Sequence, residues 1–413
     1  MTLTITNALV DGERVGLRCD GETIAAIGPD VAAHPGDEAI DAGGAHLVPP
    51  LVNGHTHAAM TLFRGSGGDL PLMPWLEERI WPVEARLDEE DVYWGARLAC
   101  AEMIRSGTTR FWDMYWQPQA TARAVEDAGI RAAIGAPLFD ADGSFEELQE
   151  AAHRSTEALA RCGPLITTAL APHAIYTVSE RALRWIGELS AERELPVQIH
   201  LSETEKEVQD CIAEHGERPA RYLDRLGLLS ERTIVAHGVW LDPEELALVA
   251  ERGATVVANP VANMKLAVGG VFPHPGARAA GVHVGLGTDG AGSNDSLDLL
   301  ADLKLFALTQ KHAAADPTAI DAAEAWAVAT GARAPLLGAT PLEPGAPADF
   351  LLLRPDAPEL GIGDLTSDLV YAASGSVVDT TVVAGKVLMR GGELPELDEI
   401  VAKAAERARR LGL

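Results

Sequence analysis

Two histidines separated by one residue, His55 and His57, follow an apolar run that begins at Leu47. Side chains of a strand alternate between its faces, so residues two apart point the same way. Two imidazoles on one face at a strand end can grip one metal ion from one side. The pair alone would also suit a solvated loop, so the other ligands must come from elsewhere in the chain. Candidates stand in comparable places. His173 follows the apolar run 165–171, and His200 lies in the run 197–201 with Glu203 three residues on. His237 closes the run 233–236, and Asp289 sits in Gly287-Thr288-Asp289-Gly290 after the run 282–286.

Each of these has an ordinary reading as a core histidine or a turn aspartate. Taken together they compose a mononuclear hydrolytic site. His55, His57 and His200 offer neutral nitrogen ligands, and Asp289 offers an oxygen. A nitrogen and oxygen set without thiolate suits one divalent metal per subunit, zinc first, with Fe2+ and Mn2+ as alternatives. Such an ion lowers the pKa of its water toward ~7. Glu203 can then reach past the metal as a proton shuttle, and His237 can polarise the attacking water. A second metal of this type usually needs a bridging carboxylated lysine late in the third or fourth strand. The chain has no lysine before Lys206, which points to one ion.

These residues share a site only if the elements carrying them converge. From residue 50 onward, strand-like runs alternate with helical stretches. The runs are the one holding His55, then 108–112, 131–138, 165–171, 197–201, 233–236, 254–258 and 282–286. Helical spacing falls between them, at 91–105, 144–161, 179–193 and 242–251, and continues through 297–315 and 320–330. Eight strand-then-helix repeats predict an α/β chain folded as a (β/α)8 TIM barrel, whose chemistry lies at the C-terminal ends of the strands. An open doubly wound sheet is the weaker alternative, because no glycine-rich phosphate loop follows an early strand.

Residues 1–49 read as short strands broken by Asp11-Gly12, Asp20-Gly21 and Gly28-Pro29, with Asp-Gly a hairpin signal. After Pro347 strands return at 349–353, 369–372, 377–383 and 386–389, and a helix closes the chain at 397–411. Neither end looks long enough to form a full sheet alone. The expectation is therefore a small β-sandwich domain built jointly from 1–49 and 346–413, flanking a barrel of residues 50–345.

Composition narrows the function class. The chain has 413 residues, 47% of them apolar, enough to bury a large core. No apolar run approaches a membrane span, and the N-terminus lacks the basic and apolar regions of a signal peptide. Four scattered cysteines suit reduced thiols in the cytoplasm. A net charge of −28 repels phosphate backbones and anionic membranes, so neither nucleic acid nor membrane is an expected partner.

The motifs resemble those of the amidohydrolase superfamily, and more closely the methylthioadenosine/S-adenosylhomocysteine deaminase family. The resemblance rests on Pro50-Leu51-Val52-Asn53-Gly54-His55-Thr56-His57, Pro172-His173, His200-Leu201-Ser202-Glu203-Thr204, Ala236-His237-Gly238 and Gly287-Thr288-Asp289-Gly290. It extends to Met60–Gly65 and Trp75–Glu84, and to Asn263-Met264-Lys265-Leu266 and Ser293-Asn294-Asp295. It implies hydrolytic deamination of 5′-methylthioadenosine, S-adenosylhomocysteine, adenosine or 5′-deoxyadenosine by metal-bound hydroxide. Glu203 would protonate the ring nitrogen and then the leaving ammonia, while His237 and Asp289 orient and deprotonate the water. Glu84 would hold the ribose hydroxyls and His173 would lie near the ribose. Trp81 would line the pocket, and Trp75, Trp112 and Trp116 suit either pocket or core. A homo-oligomer stays open.

One departure bears on substrate. No arginine stands between Arg131 and Arg154, where some family members carry one for the homocysteine carboxylate. Two rivals stand beside the nucleoside reading. One is an aminohydrolase or chlorohydrolase of a free purine, pyrimidine or triazine ring. The other is an inactive barrel kept for binding, which would be expected to have lost metal ligands.

Overall fold

Runs of small and β-branched apolar residues form eight parallel strands of one sheet in the computed structural model, which describes residues 2–66, 70–140 and 143–413. They are β1 (Leu51–Thr56), β2 (Thr108–Met114), β3 (Arg131–Gly135), β4 (Ile166–Thr168), β5 (Val197–Leu201), β6 (Thr233–His237), β7 (Thr255–Ala258) and β8 (His283–Leu286). Their order is β4-β3-β2-β1-β8-β7-β6-β5. Parallel bridges Leu170↔Val197 and Ala174↔His200 join the chain after β4 to β5 and close the cylinder. Every residue of β1, β5, β6 and β7 is buried, because helices cover the outside and side chains fill the inside.

The helices begin where the sequence supplies caps. Asp88 and Asp91 form a reciprocal capping box at Glu89–Arg105, and Asp242 and Glu245 form another at Pro243–Glu251. Ser179 caps Glu180–Arg193, and Thr204 caps Glu205–His215 just after Glu203. Each side chain takes up a backbone N–H that the first turn leaves without a partner.

Two of the expected strands are interrupted. The third breaks at Ala136 and resumes as Pro137–Leu138, where proline lacks the N–H a continuous ladder needs. The fourth resumes as Ala171–Pro172, which pairs with Pro137–Leu138. Both breaks lie toward the end of the barrel where the histidines gather, and the resumed segments stay paired there.

Two four-stranded sheets flank the barrel. Thr2–Val10, Glu13–Asp20, Thr23–Gly28 and Glu38–Asp41 make one, with Asp11-Gly12 as a two-residue hairpin turn at φ 49° and 81°. Leu47–Val48, Phe350–Leu353, Val378–Val383 and Lys386–Met389 make the other. Leu3, Ile5, Leu17 and Ile24 of the first share a core with Leu47, Phe350 and Leu352 of the second. This corrects the expectation that neither end forms a sheet alone. The N-terminal segment does so, because Glu38–Asp41 returns parallel to Thr2–Val10. A second correction concerns 369–372, which belongs to a helix, Leu365–Tyr371. Asp364 caps it, and its Leu369 and Val370 are buried. The closing helix, Leu397–Leu411, lies as expected. Among the described residues no helix is long and apolar enough to cross a membrane.

Candidate active site

The histidines of β1 and β5 are aimed by hydrogen bonds to their rear nitrogens. His57 Nδ1 lies 2.7 Å from the Met114 carbonyl oxygen, and His200 Nδ1 lies 2.8 Å from that of His173. A carbonyl only accepts, so each Nδ1 carries a proton and each Nε2 is turned to the cluster; against burial, the Asp289 carboxylate raises the His57 ring to about 9. His55 Nδ1 lies 3.4 Å from Gln198 Oε1, and the Gln198 amide is fixed by donating to the Asp113 carbonyl at 2.6 Å. Ligating histidines are oriented in this way. Burial pulls the His55 ring down to about 4 and the His200 ring well below its usual range, which keeps both neutral. The three rings meet closely, with centroids 4.8 Å apart for His55 and His200 and 4.9 Å for His55 and His57.

Asp289 faces this cluster from the end of β8. Its Oδ1 lies 3.2 Å from His57 Nε2 and 3.6 Å from His55 Nε2. The Gly290 N–H and the Ser293 hydroxyl each donate to the carboxylate at 2.8 Å, which fixes its plane. One ring nitrogen from each of His55, His57 and His200 lies within 4.8 Å of the others, and the ligand atoms of His55, His237 and Asp289 are as close. Among the described residues the fully buried His55 Nε2 has no hydrogen-bond partner. An orphaned buried nitrogen inside a nitrogen and carboxylate set fits a divalent cation.

Glu203 and His237 stand beside the cluster, with His237 Nε2 3.9 Å from Glu203 Oε2. His237 Nδ1 lies 2.8 Å from Asn263 Oδ1, so its proton sits there and Nε2 is free to accept. Burial, with the Asp289 charge adding to it, pushes the Glu203 carboxyl up to about 8. It is therefore mostly protonated at neutral pH. The backbone around these groups is held in unusual shapes, with positive φ at Ser202 (51°), His237 (75°) and Asp289 (61°). Left-handed non-glycine residues are costly and tend to gather at functional sites.

One cavity joins these groups to the remaining sequence candidates. It holds about 670 Å³ of space free of atoms, open mouth included. His57, His200, Glu203, His237 and Asp289 form its floor, and Trp81, Glu84 and His173 stand in its walls. His55 lies behind the floor, fully buried. His173 Nδ1 is 2.9 Å from the Thr177 hydroxyl, and its ring stacks on Phe139 at 4.7 Å. Burial raises the Glu84 carboxyl, while Tyr115 and Trp116 beside it favour its anion. Trp75 and Trp116 line the cavity, whereas Trp112 is buried in the barrel interior.

Sequence reasoning assigned no role to Gln198, Asn263, Ser293 or Asp113. Gln198 carried a readable signal: it lies two residues before His200, on the same face of an otherwise apolar strand. Asp113 closes β2 and accepts the Ala58 N–H at 2.6 Å, which anchors the turn after His57. Asn263 and Ser293 stood in recognisable motifs, but only the fold sets them against His237 and Asp289.

The amidohydrolase family profile matches residues 46–388. A 5′-deoxyadenosine deaminase of Methanoregula boonei is 48% identical over 401 residues, covering 94% of this chain and 90% of its own. A 5-methylthioadenosine/S-adenosylhomocysteine deaminase of Archaeoglobus fulgidus is 42% identical over 403 residues, covering 96% and 94%. A crystal structure of an adenosine deaminase from Xanthomonas campestris with bound zinc superposes with a TM-score of 0.92 at 36% identity, over 100% of this chain and 98% of that one. With the family match spanning residues 46–388 and such relatives along nearly its whole length, the chain belongs to the amidohydrolase family.

Proposed function

We propose that the protein hydrolytically deaminates an adenine nucleoside, releasing ammonia and the inosine analogue, with zinc as its ion. The observation that carries this reading is that His55, His57 and His200 gather their ring nitrogens, Asp289 meets His55 and His57, and the Glu203 carboxyl stands 3.9 Å from the His237 ring. The nucleoside deaminases among its relatives support the substrate class. His55, His57, His200 and Asp289 would hold the cation. When bound, a divalent ion lowers the pKa of water toward ~7 and makes hydroxide available at neutral pH.

The side chains then divide the proton work. His237 Nε2 accepts a hydrogen bond from the attacking water and aims it at C6 of the ring. The Asp289 carboxylate takes the proton that the water gives up. Glu203 enters protonated and donates to N1 as C6 becomes tetrahedral. Glu203 then takes the proton of the new C6 hydroxyl and passes it to the departing amino group, the C6–N bond breaks to release ammonia, and the proton on Asp289 returns to Glu203. Glu84 accepts hydrogen bonds from the ribose hydroxyls, and His173 packs beside the sugar. Trp81 and Trp116 close the walls around it.

The test is the ultraviolet spectrum of 5′-methylthioadenosine mixed with the zinc-loaded protein. Deamination shifts the absorbance maximum to shorter wavelength and releases ammonia. Glu203→Gln is expected to lose ~10²–10⁴-fold in rate while keeping its metal. No shift with methylthioadenosine, adenosine, 5′-deoxyadenosine or S-adenosylhomocysteine at full metal occupancy would overturn the reading. Within the class, the lack of an arginine between Arg131 and Arg154 favours nucleosides without a carboxylate. The kcat/KM for methylthioadenosine, 5′-deoxyadenosine or adenosine is therefore expected to exceed that for S-adenosylhomocysteine. The reverse order would sink the preference.

A further inference from the structure

A second chamber opens beyond Glu203. Met73 and Pro74 form one wall, Ile175 and Tyr176 another, and Cys211 of the helix Glu205–His215 a third. It holds about 1140 Å³ of space free of atoms, open mouth included. Leu72, Tyr176 and Glu203 line both this chamber and the first. Several of the charged groups at its edge are already engaged. Lys206 Nζ lies 2.6 Å from Asp210 Oδ2, and the Glu207 carboxylate accepts the Ser202 and Glu203 N–H groups at 2.8 Å each. The surface left to a ligand is apolar.

We propose that this chamber takes an apolar substituent at C2 of the adenine ring, an inference that rests on the deaminase reading. Around the edge of the purine the order is C6, N1, C2, N3, and then the side that bears the ribose. Glu203 and Tyr176 line the first cavity together with the histidine cluster, and the Tyr176 and His173 rings lie 6.0 Å apart. With C6 at the cluster and N1 at Glu203, C2 follows N1 along the ring edge, on the side where Glu203 and Tyr176 also line the second chamber. Tyr176 is 40% exposed and lines both cavities. Unsubstituted adenine leaves the chamber unused. A short alkyl group at C2 enters it without displacing the wall and without altering the groups that touch C6 or N1.

The experiment compares kcat/KM for 5′-methylthioadenosine with its 2-methyl and 2-propyl derivatives. Alkyl groups change the basicity of N1 little, so the series reads space. Wild type is expected to keep each derivative within ~tenfold of the parent, whereas a closed pocket discriminates against an added group far more sharply. Met73→Trp narrows the chamber from a position 36% exposed, where a larger side chain is tolerated. It is expected to lower the 2-propyl value by ~tenfold or more and leave the parent unchanged. Cys211→Phe fills the chamber from the opposite wall and should do the same. The proposal is overturned if the 2-methyl derivative already falls more than ~tenfold, or if both variants lower parent and derivatives alike. Conversion of the parent without its derivatives would sink this inference alone. No conversion of the parent at all would sink the deaminase reading and this inference with it.

Discussion

His55 is held by a single long contact behind its ring, 3.4 Å from Nδ1 to Gln198 Oε1, while His57 and His200 each have a carbonyl at 2.7–2.8 Å. The Gln198 amide cannot turn over freely, because its Nε2 donates to the Asp113 carbonyl. It therefore offers His55 an acceptor only, which puts the ring proton on Nδ1 and the lone pair on Nε2. Removing that acceptor frees the imidazole to exchange tautomers. Gln198→Leu is expected to weaken metal binding by ~10–100-fold, read directly by chelator competition. Unchanged affinity would mean that barrel packing alone orients His55.

At the scale of elements, the base of the barrel is tied to the flanking sheets through one buried ion pair. Arg131, at the start of β3, meets Asp349 through Nε at 2.7 Å and a second guanidinium nitrogen at 3.0 Å. Asp349 is fully buried and also accepts the Ala384 N–H at 2.8 Å. Among the described residues Arg131 has no comparable second partner, so Asp349→Ala strands a guanidinium in low dielectric. Losing one member of such a pair costs ~3–5 kcal/mol. A lower denaturation midpoint with an unchanged slope would show it. A midpoint within error of wild type would show that water reaches Arg131 and that the sheets dock without this pair. The same scale explains the interrupted third and fourth strands. Pro137 and Pro172 each lack a ladder N–H, and Phe139 and His173 follow the short paired segments that hold them and stack there.

For the whole molecule, the site is a junction as well as a reaction centre. Its groups arrive from β1, β5, β6 and β8, so any ion bound there ties together strands from both halves of the barrel. An ion that binds only the folded chain stabilises it in proportion to the logarithm of its saturation, ~2.7 kcal/mol at a hundredfold excess over Kd. Stripping metal with a chelator is therefore expected to lower Tm, and adding back zinc to restore it. A Tm that ignores chelation would place the ion outside the fold's energetics. The surface plays a separate part, since a net charge of −28 sets which partners are repelled without shaping the barrel.

Local patterns in the sequence determined much of this protein. The alternation of apolar runs and capped helices was enough to specify the barrel, and Asp11-Gly12 the first hairpin. The types and spacing of His55, His57, His200, Glu203, His237 and Asp289 were enough to nominate one site, because a barrel sends all strand ends to one mouth. Tertiary structure decided the rest. That Glu38–Asp41 completes an N-terminal sheet, and that 369–372 is helix, depends on pairing and burial across long stretches of chain. The left-handed turns at Ser202, His237 and Asp289 are held by contacts from other elements, such as Asn263 on His237 and Ser293 on Asp289. The acidity of Glu203 is likewise a property of burial, which no single stretch of sequence encodes.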